Sequence, residues 1–130
     1  MNKIKEFLTA TGVFFMATVD GDKPRLRPLG AFIEDGDKLI FGVGDFKNVY
    51  RQMLANPNVE IVACKPDGHW LRYTGRAVFE TDDKYAKQMI AESHLESVYN
   101  EQTGYKLMTF RLEDATAVDI PVMGEGESLL

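Results

Sequence analysis

Arg25-Leu26-Arg27-Pro28-Leu29-Gly30-Ala31-Phe32, the turn Asp35-Gly36-Asp37, Lys38-Leu39-Ile40-Phe41, and then Gly42-Val43-Gly44-Asp45-Phe46-Lys47-Asn48 form the stretch that decides the fold. Two extended runs separated by an Asp-Gly turn read as an antiparallel hairpin. The second run passes through two glycines into a helix start at Lys47-Asn48. Val49, Tyr50, Met53 and Leu54 give that helix an i, i+3/i+4 apolar spacing before Asn56-Pro57 stops it. A helix start presents unpaired backbone N–H groups and the positive end of the dipole. Arg25 and Arg27 lie two apart and so share a face of their strand. A basic strand, a glycine turn and a lysine-led helix start thus converge where one phosphate reaches all three. Pro28 withdraws an N–H from its strand, and Gly30 permits close approach to the main chain by a flat ring. Gly42-x-Gly44 before a helix also suggests a dinucleotide fingerprint, but its context is wrong. That motif needs a βαβ unit and a third glycine at the helix start, whereas hairpins precede this one and Lys47 holds the third place.

Outward from this stretch, Asn2 to Thr9 reads as a short amphipathic helix with Ile4, Phe7 and Leu8 on one side, ended by Gly12. Val13 to Val19 is a strand turning at Asp20-Gly21-Asp22. Val59 to Cys64 and His69 to Glu80 are strands joined through Asp67-Gly68, the second with a bulge expected at Gly75. From Asp82, a good N-cap, to about Tyr99 the pattern is helical, with Ala86, Met89 and Ile90 as its stripe. Met108 to Leu112 and Ala115 to Ile120 read as strands. The class is mainly β (α+β), six to seven antiparallel strands with a few flanking helices. A closed or partly open barrel is the economical answer to the edge problem. Residues 1–121 form one domain, and 122–130, with Gly124-Glu125-Gly126-Glu127, are expected to be a flexible tail.

A chain of 130 residues has little room for a deep internal cavity, so a nucleotide-sized ligand belongs in a groove or at a subunit interface. The net charge of −5 argues against general affinity for nucleic acid or anionic membranes. Local basic residues in an acidic whole suit one small anion. Cys64 is the only cysteine, so no intramolecular disulfide forms, and its apolar run predicts a buried structural thiol. Lys3, Lys5 and Glu6 interrupt the N-terminal apolar residues, no signal peptide or membrane span is readable, and a cytoplasmic location is expected. His69 and His94 lack partners at metal-ligand spacing, and no nucleophile elbow or acid–base pair stands out. No catalytic side chain is assigned, and no metal is expected. Trp70 reads equally as core packing at a barrel end or as a stacking platform for an aromatic ligand.

The segment from Ala17-Thr18-Val19-Asp20 through Trp70-Leu71-Arg72-Tyr73-Thr74-Gly75-Arg76-Ala77 resembles the pyridoxamine 5′-phosphate oxidase-like flavoproteins, especially their small nitroimidazole-resistance and general stress members. The resemblance rests on the Arg-x-Arg-Pro strand, the Lys47-to-Met53 helix with its Asn56-Pro57 stop, and the Trp-x-Arg-x-x-Gly strand. It implies an FMN-binding split β-barrel and a homodimer with FMN at the interface. Arg27 would begin the cofactor strand beside Arg25, and Pro28, Leu29, Gly30 and Phe32 would pass along the isoalloxazine. Gly42 and Val43 would lie beside the ring or ribityl chain, Lys47 and Asn48 would hold the phosphate, and Trp70 would reach the flavin, often from the neighbouring subunit. Phe32 stands where a true pyridoxamine-phosphate oxidase places a substrate lysine. The family's Tyr/Arg/Ser set and C-terminal Trp/Arg segment are not found. The implied function is an FMN-dependent oxidoreductase passing electrons from a reduced donor to a small, aromatic acceptor rather than vitamin B6 oxidation. The alternative is a non-catalytic flavin- or heme-binding sensor on the same barrel.

Overall fold

In the computed structural model, which describes residues 2–130, helix α1 (Lys3–Ala10) opens the chain, its N-cap Asn2 accepting the Ile4 N–H at 2.9 Å. Strand β1 (Phe14–Asp20) turns at Gly21, φ +63°, into β2 (Lys23–Leu29). β3 (Ile33–Asp35) turns at Gly36, φ +60°, into β4 (Lys38–Gly44), so both Asp-Gly turns use the left-handed conformation that glycine adopts without strain. Helix α2 (Asn48–Ala55) follows, then β5 (Asn58–Cys64), β6 (Trp70–Phe79), α3 (Lys84–Glu92), β7 (Leu107–Ile120) and β8 (Glu127–Ser128). All pairings are antiparallel, in the order β2-β1-β5-β6-β7-β4-β3 with β8 beside β7. The two ends of that path, β2 and β3, are joined by the short segment 30–32, so they face each other across a split. α2 packs against β1 and β4 on either side of it.

Alternation along the strands fills the barrel. Phe41 is fully buried and meets Phe14 and Phe110 at 5.7 Å between ring centroids and Tyr73 at 6.4 Å. Each such ring contributes about 1.5–3 kcal/mol by leaving water, so this cluster is the main term holding the sheet closed. A second cluster, Ile33, Ile40, Tyr85, Ala86, Met89 and Leu107, seats α3 on the β3–β4 hairpin, where the Tyr85 hydroxyl donates to Asp35 at 2.5 Å.

The departures from expectation are local. The two expected strands at the C-terminal end are one strand, β7. Its register shifts opposite Gly75, where two residues, Asp114 (φ +51°) and Ala115, face one. The bulge expected at Gly75 therefore has its extra residue on the partner strand. A Cβ on Gly75 would stand 3.1 Å from the Glu113 carbonyl oxygen. Helix α3 ends at Glu92 rather than near Tyr99: Leu95 N–H bonds the Ile90 carbonyl at 3.0 Å around His94, φ +55°. This is a Schellman stop with histidine in the place glycine usually takes, so no sequence signal marked it. Cys64 is exposed, not buried. Val59, Ile61 and Ala63 take the inward positions of β5, and period-two alternation turns the thiol out. Residues Glu127–Ser128, read as tail, pair with Val118 and Asp119, and Leu129 N–H bonds the Ala117 carbonyl at 2.8 Å. β4 accompanies β7 only from Leu107 to Phe110, and β8 satisfies the backbone edge left open beyond the bulge.

Candidate functional site: a two-part cavity in the split

Two adjoining cavities occupy the split. One, about 830 Å³, lies between β2 and the outer side of α2 and is bordered by Arg25, Arg27, Lys47, Asn48, Arg51 and Gln52. The other, about 390 Å³, runs along Leu29-Gly30-Ala31 and Gly42-Val43-Gly44 and is closed by Met89, Leu95, Tyr99 and Leu107. Arg27, Pro28, Lys47 and Val49 line both, so a single elongated ligand can span them. One end is cationic and the other largely apolar.

The charges at the cationic end are unequal. Arg25 is exposed and gives its Nε–H to Asp20 at 3.0 Å, so its charge is largely answered. Arg27 is half-buried and has only neutral partners: it donates to the Met16 carbonyl at 3.1 Å and to Gln52 Oε1 at 3.0 Å. Burial pulls its guanidinium below the ordinary arginine value, though an arginine keeps its charge at any physiological pH. A partly desolvated cation without a carboxylate is costly unless an anion completes it. Gln52 Oε1 also accepts from the buried Thr18 hydroxyl at 2.7 Å, so one amide oxygen aims the guanidinium. Lys47 sits at the N-cap of α2 with an extended backbone (φ −93°) and no side-chain cap. Its ammonium lies 5.8 Å from the Phe46 ring centroid and has no carboxylate within ion-pair distance among the described residues. Arg51 donates to the Asn48 side chain. Three cations without a carboxylate partner among the described residues, Arg27, Lys47 and Arg51, and a helix N-terminus thus face one space.

At the apolar end the glycines admit protein. A Cβ at Gly42 would stand 2.9 Å from Met89 Sδ, and one at Gly44 would stand 2.7 Å from Phe46 and 2.8 Å from the Tyr99 hydroxyl. Their bareness lets α3 and the segment after it close over β4. Main-chain atoms at Gly30, Gly42 and Gly44 line the cavity beneath.

Of the residues singled out in the sequence, Arg25, Arg27, Pro28, Lys47 and Asn48 meet in the cationic part. Leu29, Gly30, Gly42 and Val43 line the apolar part. Phe32 is not brought there: its ring packs inward, 6.3 Å from Phe14 and 6.5 Å from Phe41. The segment at Ile33 turns from the split into β3, and Phe32 follows the core. Trp70 also lies apart, paired with Cys64 and Ile120 on the outer face of the sheet, with the Arg72 guanidinium 5.0 Å from its ring. His69 bonds Asp119 at 2.7 Å through Nδ1, and neither it nor His94 borders the two cavities. Sequence reading missed Thr18, Arg51, Gln52, Met89 and Tyr99. The i+4 spacing of Asn48 and Gln52 on one helix face could have flagged Gln52. Nothing local marks the residues that α3 delivers.

Fold and site together define a class: split β-barrels with an elongated cavity in the split, cationic at one end and apolar at the other. Comparison with known proteins is narrower. A family profile described as Pyridoxamine 5′-phosphate oxidase matches residues 1–119, and the chain belongs to that family. A NimC/NimA family protein from Clostridium acetobutylicum shares 31% identity over 98% of this chain and 90% of its own, with a TM-score of 0.85. An FAD-binding protein from Mesorhizobium loti shares the fold at 16% identity, covering 89% of this chain and 91% of its own, TM-score 0.59. A heme binding protein from Mycobacterium smegmatis does so at 15% identity, covering 98% and 56%, TM-score 0.70. No curated protein sequence matches the chain.

Proposed function

We propose that this chain is a cytoplasmic, homodimeric FMN protein that passes electrons from a reduced donor to a small flat acceptor. The observation that carries the reading is the joined pair of cavities. Arg27, Lys47 and the α2 N-terminus offer a phosphate what it needs, and the apolar part receives a flat ring against bare main chain at Gly30 and Gly42. FMN has that shape and polarity, and its ring supplies the redox chemistry when bound. The chain's own residues hold the phosphate, orient the ring and keep water from one of its faces. The FAD-binding relative supports a flavin on this fold. For heme, the two histidines are badly placed: neither borders the paired cavities, His69 lying at the β5–β6 turn and His94 just beyond the end of α3.

Dimerisation is supported by the outer face of the sheet. Phe15 and Leu26 are 44% and 68% exposed there, and Phe15's row continues through Val62, Arg72 and Val118, so apolar side chains flank a single arginine. Trp70 belongs to this face, so a second subunit would bring it near a partner's site, as the family resemblance implies. Position 32 holds phenylalanine turned into the core, so it offers no cation to a substrate phosphate.

The test is the visible spectrum of the purified protein, with titration of FMN into any apoprotein. Flavin maxima and one FMN per chain are expected. A Soret band, or a colourless protein that takes up no FMN, would refute the reading. The loaded protein should leave pyridoxamine 5′-phosphate unoxidised while a quinone reoxidises its reduced flavin, and steady turnover of the vitamer would show the reading of position 32 to be wrong.

A further inference from the structure

A third cavity, about 880 Å³, opens between α3 and the start of β7 and shares Tyr99 and Leu107 with the apolar cavity of the split. Those two side chains are therefore the wall between them. Tyr99 is half-buried, its ring tilted against Phe46 at 6.3 Å, and Phe46 in turn stacks on Tyr105 at 4.0 Å. The Tyr99 hydroxyl lies 2.8 Å from where a Cβ on Gly44 would stand; it makes no hydrogen bond to a described residue and is not a buried orphan, so water reaches it. Burial first, and the nearby Asp45 carboxylate second, raise its pKa above the ordinary tyrosine value, so it remains a donor at neutral pH.

The lining of the third cavity constrains what can enter. Its floor includes Ala86, Ile90 and Leu107. Around them stand four carboxylates, Glu80, Asp82, Asp83 and Glu101, against Lys87 and Lys106. Glu80 is paired with Arg111 at 3.1 Å and Asp83 with Lys87 at 3.3 Å, whereas Glu101 has no ion-pair partner among the described residues. With Glu80 and Asp83 paired, Asp82 and Glu101 outweigh Lys106, so an apolar floor under this rim favours uncharged or cationic molecules over phosphates and sulfonates.

We propose that this third cavity receives the electron acceptor, and that the Tyr99 hydroxyl donates a hydrogen bond to the acceptor's oxygen at the wall facing the split. The assignment rests on the flavin reading above and adds to it the place, polarity and anchoring group of the acceptor. An oxygen-bearing flat molecule gains a directed contact there that its hydrocarbon isostere lacks.

The probes are duroquinone, its hydrocarbon counterpart durene, and naphthoquinone-2-sulfonate, each titrated into the oxidised FMN-loaded protein and read by the flavin difference spectrum. Wild type should bind duroquinone about tenfold more tightly than durene, the size of one neutral hydrogen bond. In Tyr99→Phe that preference should vanish while durene affinity stays put. Glu101→Lys, at an exposed and unpaired position, should tighten the sulfonate severalfold and leave duroquinone unchanged. A Tyr99→Phe protein that keeps the preference overturns the donor assignment. A sulfonate indifferent to Glu101→Lys overturns the cavity assignment. If wild type binds FMN but shows neither effect, only this inference falls; if it takes up no flavin, the functional reading falls with it.

Discussion

Arg27 and Arg25 stand two residues apart on one strand and do different work. Arg25 is satisfied by Asp20 and faces water, whereas Arg27 is half-buried with only an amide and a carbonyl for company. The charge of Arg27, with that of Lys47, is therefore available to an anion. Arg27→Ala or Lys47→Ala should each weaken FMN binding by about 1.5–3 kcal/mol, the worth of a hydrogen bond to a charged group. Riboflavin, which lacks the phosphate, should be nearly indifferent. Equal losses for both ligands in a titration would mean that these side chains do not hold the phosphate. Gln52 offers a sharper test, since its Oε1 accepts from both Arg27 and Thr18. Gln52→Glu keeps the shape and both hydrogen bonds but hands Arg27 a carboxylate. FMN affinity should fall at least about tenfold while the melting temperature holds or rises. Undiminished FMN affinity would show that the charge of Arg27 is not engaged by the ligand.

At the scale of elements, the site depends on how strands and helices end. α2 begins with an uncapped Lys47, which leaves its first N–H groups facing the cationic cavity. α3 stops at a left-handed His94, and that stop turns Ser93, Leu95 and Tyr99 toward the split. The far end of the barrel is fastened by a titratable contact. His69, at the β5–β6 turn, bonds Asp119 near the end of β7, and that hydrogen bond is the first cause raising the imidazole pKa above its ordinary 6.5, with the charges of Asp119 and Asp67 adding to it. Because the folded value lies above the unfolded one, the stabilisation is fully present below about pH 6.5 and is lost as pH rises through the raised folded value. His69→Gln should lower the melting temperature at about pH 5.5 and have little effect at about pH 9. A melting difference that does not change with pH would assign the contact to packing alone.

For the whole molecule, the split is what a barrel of this size offers in place of a deep pocket. The core is filled by rings such as Phe14, Phe41 and Phe110, each essentially without solvent exposure, so a ligand finds space only where the sheet fails to close. On the proposed dimer, the outer sheet face, where Phe15 and Leu26 are exposed, would meet a second copy of the chain. Light scattering at micromolar concentration should report a dimer, and saturating FMN should raise the melting temperature by mass action, about 2.7 kcal/mol at a hundred times the Kd. A monomer binding FMN at full stoichiometry would overturn the shared-site arrangement. Among the described residues no helix is long and apolar enough to cross a membrane.

The sequence by itself determined the hairpins, the extent of α2, the antiparallel barrel and which basic residues gather at the candidate site. Each of these rests on short-range chemistry: Asp-Gly turns, period-two alternation, a lysine before a helix and a proline after it. Its errors share one cause. The end of α3 at His94, the continuous β7 with its bulge at Asp114, the outward Cys64 and the pairing of Glu127–Ser128 all answer demands made by distant parts of the chain. An open edge on β7 needs a partner whatever the partner's polarity, and a helix must stop where the next segment has to cross β4. The apolar half of the site belongs to the same category. Met89 and Tyr99 reach Gly42 and Gly44 only because tertiary packing folds α3 over β4, and Phe32 leaves the site because the core claims its ring. Local pattern carries turns, caps and strand faces, while only the closed barrel decides which side chains share a cavity, since that depends on contacts across many tens of residues.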